Sequence, residues 1–135
     1  MPSRRDQVRA RAKGLCEYCG YPDAISPGPF AVEHIIPRTA AGSNSLENLA
    51  WACDGCNGYK AAATHGSDPS TGECPPLFNP RTQKWADHFE WNIDRLEMLG
   101  ISPTGRATVD RLRLNRHGLV RVRRVQKKMP LDRLV

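Results

Sequence analysis

The chain contains no apolar run near the roughly 20 residues needed to span a bilayer, so a membrane-embedded protein is excluded. Its basic N-terminus, MPSRRDQVRARAKG, lacks the apolar stretch of a secretory leader behind it, which points to a cytoplasmic protein. A protein that is not exported has little use for a disulfide framework, so the five cysteines ask for another explanation. There is no internal repeat and no low-complexity tract. Acidic residues are scarce at both ends. Residues 1–13 hold five basic side chains against Asp6 (net +4), and residues 104–135 hold ten against Asp110 and Asp132 (net +8). The stretch between is acidic, with five basic against eleven acidic residues (net −6). Two basic ends fit a polyanion such as nucleic acid, and equally fit two solvated helix faces.

A length of 135 residues suits one compact domain with a modest core, and a core of that size usually gains from a covalent or metal staple. Four cysteines form two C-x-x-C pairs, Cys16/Cys19 and Cys53/Cys56. Two residues between thiolates let one tight knuckle point both sulfurs at the same ion, which is tetrahedral-zinc spacing. A thioredoxin-like redox motif would need one pair and would leave the other unexplained. A closed four-thiolate site leaves no position for water, so this Zn²⁺ is expected to be structural. Cys74, in a Pro-rich stretch, reads as a free thiol.

Ser3 with Asp6 predicts a capped N-terminal helix leading to the first knuckle. Phe30 to Ile36 reads as a strand ended by Pro37, residues 38–48 as a polar loop, and Leu49 to Ala52 as a second strand. A short helix from about Asn57 to Ala63 should follow the second knuckle. Pro69, Gly72, Pro75, Pro76 and Pro80 rule out a regular element over 64–80. Trp85 to Trp91 has the period of a strand, and a partner around Leu96 to Ile101 would close a hairpin. Ser102-Pro103 predicts a helix over Thr104 to Leu114. A last helix, Arg116 to Met129, is expected to bury Leu119, Val122, Val125 and Met129 and to turn Arg121, Arg124 and Lys128 outward.

The stretch between the knuckles carries the chemistry. Phosphodiester hydrolysis needs an activated water, a cation for the developing charge, and positioning of both. His34 can supply the base. A hard cation such as Mg²⁺ prefers oxygen ligands, and Glu33 with Asn57 offers a carboxylate and an amide oxygen. Asn57 directly follows a zinc ligand, so the knuckle would aim its amide. Asn48, at the loop end, is suited to hold the loop through backbone hydrogen bonds and so to orient His34. Arg38 and Lys60 flank these residues and could contact phosphate, and Arg121, Arg124 and Lys128 could follow a DNA backbone. Trp51, Trp85 and Trp91 read as core.

Taken together, Cys16-x-x-Cys19, Glu33-His34-Ile35-Ile36-Pro37, Asn48-Leu49 and Cys53-x-x-Cys56-Asn57-x-x-Lys60 resemble the zinc-stapled members of the His-Asn-His (HNH) endonuclease family. The resemblance implies a ββα-metal fold, one catalytic divalent metal (Mg²⁺, or another such as Mn²⁺ or Ni²⁺), and cleavage of DNA to 5′-phosphate and 3′-hydroxyl ends. By position, His34 matches the general base, Asn48 the middle asparagine that positions loop and base, Asn57 the third motif residue and metal ligand, and Glu33 the acidic ligand. Position 33 is Glu where the family more often has Asp, and position 57 is Asn where many members have His. The latter half, from PLFNPRTQKWADHFEW through GRATVDRLRLNR (residues 76–116), also looks like an extension carried by some bacterial HNH proteins. The expectation is therefore an α+β chain. Its HNH core, residues 1–63, contains the N-terminal helix and a structural Cys₄ zinc; residues 64–135 add a loop, a β-hairpin and basic C-terminal helices packed on that core. A zinc-stabilised nucleic-acid-binding module without catalysis is the alternative. The sequence leaves the oligomeric state open.

Overall fold

Ser3 starts the first helix through a reciprocal cap: its hydroxyl accepts from the Asp6 amide and the Asp6 carboxylate accepts from the Ser3 amide. The computed structural model describes residues 1–128. Helix α1 (Arg4–Arg11) leads through two left-handed residues, Lys13 and Gly14, into the first cysteine knuckle. Strands β1 (Ala31–His34) and β2 (Leu49–Ala52) pair antiparallel, with Glu33 opposite Ala50 and His34 opposite Leu49. Helix α2 (Asp54–Lys60) follows β2 at once. Beyond the loop come β3 (Phe89–Trp91), β4 (Met98–Gly100), α3 (Pro103–Leu112) and α4 (His117–Gln126). The described residues thus form a small mixed α/β unit of four helices and two two-stranded sheets.

β2 is buried along its whole length. It lies between α1 and β1, and one continuous apolar cluster extends from Val8 through Leu49 and Trp51 to Phe78, Phe89, Leu112 and Leu119. The latter half is joined to the rest by α3 packing on α2. Two glycines permit the close seat of α3 on its hairpin. A Cβ on Gly100 would lie 2.4 Å from the Arg106 amide nitrogen, and one on Gly105 would lie 1.9 Å from the His88 carbonyl oxygen. Among the described residues no helix is long and apolar enough to cross a membrane.

Several boundaries differ from those read in the sequence, each for a local reason. Helix α2 begins at Asp54, three residues early, because the Cys53 sulfur caps it by accepting from the Cys56 amide at 3.4 Å. Trp85 to Asp87 is a 3₁₀ turn rather than the start of a strand. The turn folds Trp85 back so that its ring lies 5.8 Å from Phe89 and 5.7 Å from Trp91, whereas an extended chain would separate residues 85 and 89 by about 13 Å. On α4, Leu119 is buried as expected and Val122 partly so, but Val125 is 51% exposed and Arg123 is buried instead. The Arg123 guanidinium finds the Leu96 and Leu114 carbonyls at 2.9 and 2.6 Å, which turns the 119/123 face inward. Met129 lies outside the described residues.

Candidate active site and metal centre

The two knuckles are brought together by β2. The Glu17 amide donates to the Trp51 carbonyl and the Glu17 carboxylate accepts from the Trp51 amide, each at 2.8 Å. The first pair is thereby locked beside the strand that leads directly into the second. The sulfurs of Cys16, Cys19, Cys53 and Cys56 all lie within 4.8 Å of one another, and all four residues are buried. Cys19 and Cys53 sulfurs are 3.7 Å apart; four thiolates about 2.3 Å from a tetrahedral Zn²⁺ stand about 3.8 Å from each other. The donor set and its spacing fit zinc. Hydrogen bonding among the thiols, from Cys16 foremost, pulls Cys53 far below the ordinary thiol range, while burial pushes Cys19 well above it. Cys74 is exposed and stands apart from this cluster.

Beside the cluster is a cleft of about 320 Å³ whose wall includes Glu33, His34, Arg38 and Asn57. His34 is the last residue of β1 and half-exposed. Its Nε2 donates to the Asn44 side-chain oxygen at 2.7 Å, which leaves Nδ1 as the acceptor nitrogen of the neutral ring. The loop between the strands is held by Asn48: its amide nitrogen donates to the Ile36 and Ser43 carbonyls at 2.9 and 2.8 Å, and its oxygen accepts from the Ile36 amide at 2.9 Å. One side chain thus ties the loop's entry to its exit. Arg4 on α1 donates to the Asn44 carbonyl and steadies the same loop from outside.

Asn57 sits one residue past Cys56 on α2, and its side chain makes no hydrogen bond among the described residues. Glu33 is in a different situation. It is 4% exposed, one carboxylate oxygen accepts from the Tyr18 hydroxyl at 2.6 Å, and the other accepts from the Lys60 ammonium. Burial foremost, with the adjacent Glu33 charge, pushes the Tyr18 hydroxyl well above its usual range. Lys60, expected near phosphate at the surface, is 1% exposed and also donates to the Ile35 carbonyl at 2.9 Å. Its side chain turns inward because a buried carboxylate needs a counter-charge. Arg38 remains exposed at the cleft rim, and Arg121, Arg124 and Lys128 form one exposed group on and just past α4, remote in sequence from the cleft. For a hard divalent cation, Asn57 therefore offers an unengaged oxygen. Glu33 offers only the lone pairs that Tyr18 and Lys60 leave.

Two partners at this site, Asn44 and Tyr18, had no sequence signal strong enough to single them out. Asn44 lies in the polar run Ser43-Asn44-Ser45, any member of which could reach a histidine. Tyr18 looks like filler between knuckle ligands. Lys60 was singled out in the sequence as a phosphate contact, but its pairing with the buried Glu33 had no signal there.

The geometry defines a small α/β unit clamped by four cysteines beside a histidine-asparagine cleft. Residues 16–62, about a third of the chain, match the family model described as HNH endonuclease. The match runs from the first zinc-type cysteine to just past Lys60 and points to nuclease or other nucleic-acid chemistry. Comparisons with curated proteins and with solved structures return no match.

Proposed function

We propose that the chain is a divalent-metal-dependent endonuclease that hydrolyses DNA phosphodiester bonds on a ββα-metal core, with His34 as general base. The observation that carries this reading is a tethered imidazole and an unengaged amide lining one cleft: His34, held through Nε2 by Asn44, and Asn57. His34 Nδ1 takes a proton from water as the water oxygen bonds to phosphorus; the bond to the 3′ oxygen breaks, and that oxygen takes a proton from solvent. The products carry a 5′-phosphate and a 3′-hydroxyl. A divalent cation such as Mg²⁺, held by Asn57 and the remaining lone pairs of Glu33, would neutralise charge on the scissile phosphate and the departing oxygen. Asn48 keeps the loop, and with it Asn44, at a fixed distance from His34. Arg38 at the rim orients the phosphate, and Arg121, Arg124 and Lys128 give DNA a sequence-independent hold.

The full engagement of Glu33 with Tyr18 and Lys60 favours a second reading, a zinc-stabilised nucleic-acid-binding module in which Glu33 is structural. A supercoiled-plasmid assay of the full chain in Mg²⁺, Mn²⁺ and Ni²⁺ separates them. The nuclease reading expects metal-dependent nicking that chelation stops. Salt-sensitive binding with no nicking in any of the three metals would establish the second reading.

A further inference from the structure

The cysteine cluster has a neighbour from the far half of the chain. Arg116, at the corner between α3 and α4, directs its guanidinium onto the sulfurs of the second knuckle: Nη2 lies 3.5 Å from the Cys53 sulfur and 3.7 Å from that of Cys56, and Nη1 lies 3.7 Å from the Cys56 sulfur. The group is held there independently. Nη1 also donates to the Leu112 carbonyl at 3.0 Å and the Arg113 carbonyl at 3.3 Å, and the guanidinium carbon lies 5.4 Å from the centre of the Tyr59 ring. Gly55, between the two cysteines, makes room for it. A Cβ at that position would stand 2.5 Å from Nη2 and 2.9 Å from the guanidinium carbon.

We propose that Arg116 is a positioning residue of the zinc site, donating N–H bonds to the Cys53 and Cys56 thiolates and offsetting the charge of the four-thiolate centre. A zinc ion with four thiolates carries a net charge of −2, and a buried site of that charge is stabilised by a fixed cation and by donors aimed at the sulfurs. Arginine suits the position because its planar fork reaches two sulfurs at once and does not lose its proton. Arg116 also lines, with Cys53, Gly55 and the loop Ser26 to Pro29, a second cleft of about 420 Å³. The latter half of the chain thereby completes a metal site whose ligands all lie in the first half.

The test uses the full zinc-loaded chain, with zinc transfer to 4-(2-pyridylazo)resorcinol followed by absorbance and the thiolate-to-metal charge-transfer band read after cobalt substitution. Arg116→Met is expected to release zinc on the order of 10–100-fold more readily and to move the cobalt band to longer wavelength, because thiolates without N–H donors are easier to oxidise. Gly55→Ala should move both readouts the same way by a smaller amount, and it carries the test should Arg116→Met not fold. Arg111→Met is the comparison. Arg111 bonds the Tyr59 and Lys60 carbonyls across the same junction without touching sulfur, so it should leave the band in place. Unchanged release and an unchanged band in Arg116→Met, or faster release without a band shift and matched by Arg111→Met, would overturn the proposal. So would a parent protein whose four cysteines hold no zinc.

Discussion

Glu33 and Lys60 are 4% and 1% exposed, and each is the other's main counter-charge. In so buried a place, removing Lys60 leaves the Glu33 carboxylate with the Tyr18 hydroxyl but no counter-charge. Lys60→Met is therefore expected to lower unfolding free energy by about 3–5 kcal/mol, measured by urea denaturation. A loss under 1 kcal/mol would mean that the carboxylate is solvated and that Lys60 is not the counter-charge it needs. Glu33 and His34 are adjacent on a strand and alternate in burial, one inward and one half-exposed. The sequence carries that alternation openly. It does not carry the identity of the inward partner, because Tyr18 and Lys60 reach Glu33 from different elements, 15 and 27 residues away.

Among the elements, the loop between β1 and β2 matters most to the proposed chemistry. Its geometry depends on three hydrogen bonds from one amide. Asn48→Ala should reduce nicking on the order of 100-fold, the cost of displacing a reacting group by about 1 Å, while zinc content stays at the parent level. Undiminished nicking would show that the loop holds its shape without Asn48. The loop over residues 64–80 is held differently, by Asp68. Its carboxylate takes a two-pronged bond from Arg106, both contacts at 2.9 Å, and accepts from the Ser70 amide and the Thr71 hydroxyl. The Arg106 bond foremost lowers the Asp68 pKa to about 2. A depressed carboxylate pKa means the charged form is favoured by folding, so this contribution is full above about pH 4 and is lost as the pH falls through 2. The melting temperature of the parent should fall more steeply than that of Asp68→Asn between pH 4 and pH 2. Parallel curves would remove Asp68 as the source.

These elements were unevenly legible. The Ser3 and Ser102 caps, the limits of β2 and the order strand, loop, strand, helix follow from capping chemistry and Pro placement. The early start of α2 did not, because a cysteine read as a metal ligand also serves as the helix cap. Trp85 misled because aromatic alternation is equally compatible with a turn that folds one ring back on the others.

At the scale of the whole molecule, the basic ends are mostly occupied. Arg11 donates to the Leu46 and Leu49 carbonyls, Arg9 pairs with Asp23, Arg106 with Asp68, Arg111 with backbone carbonyls of α2, and Arg123 with those of Leu96 and Leu114. Charge counted along the sequence therefore overstates what a nucleic acid would meet. Arg38, Arg121, Arg124 and Lys128 are exposed and make no such contact among the described residues. If these four carry the backbone contacts, log affinity for DNA should fall by roughly 3–4 per log unit of salt, about 0.9 for each phosphate neutralised. Fluorescence anisotropy at several salt concentrations gives the slope. A slope near zero would remove them from the interface, and one near 10 would mean that the occupied arginines let go of their partners to bind.

The central claim is that His34 activates water in a metal-dependent nuclease site, and His34→Ala tests it most directly. The variant should retain zinc and the parent's circular dichroism, because His34 is half-exposed and its one side-chain bond goes to an exposed loop residue. Its metal-dependent nicking of supercoiled plasmid should fall to background. Nicking by His34→Ala at the parent rate, with the fold and zinc intact, would contradict the account.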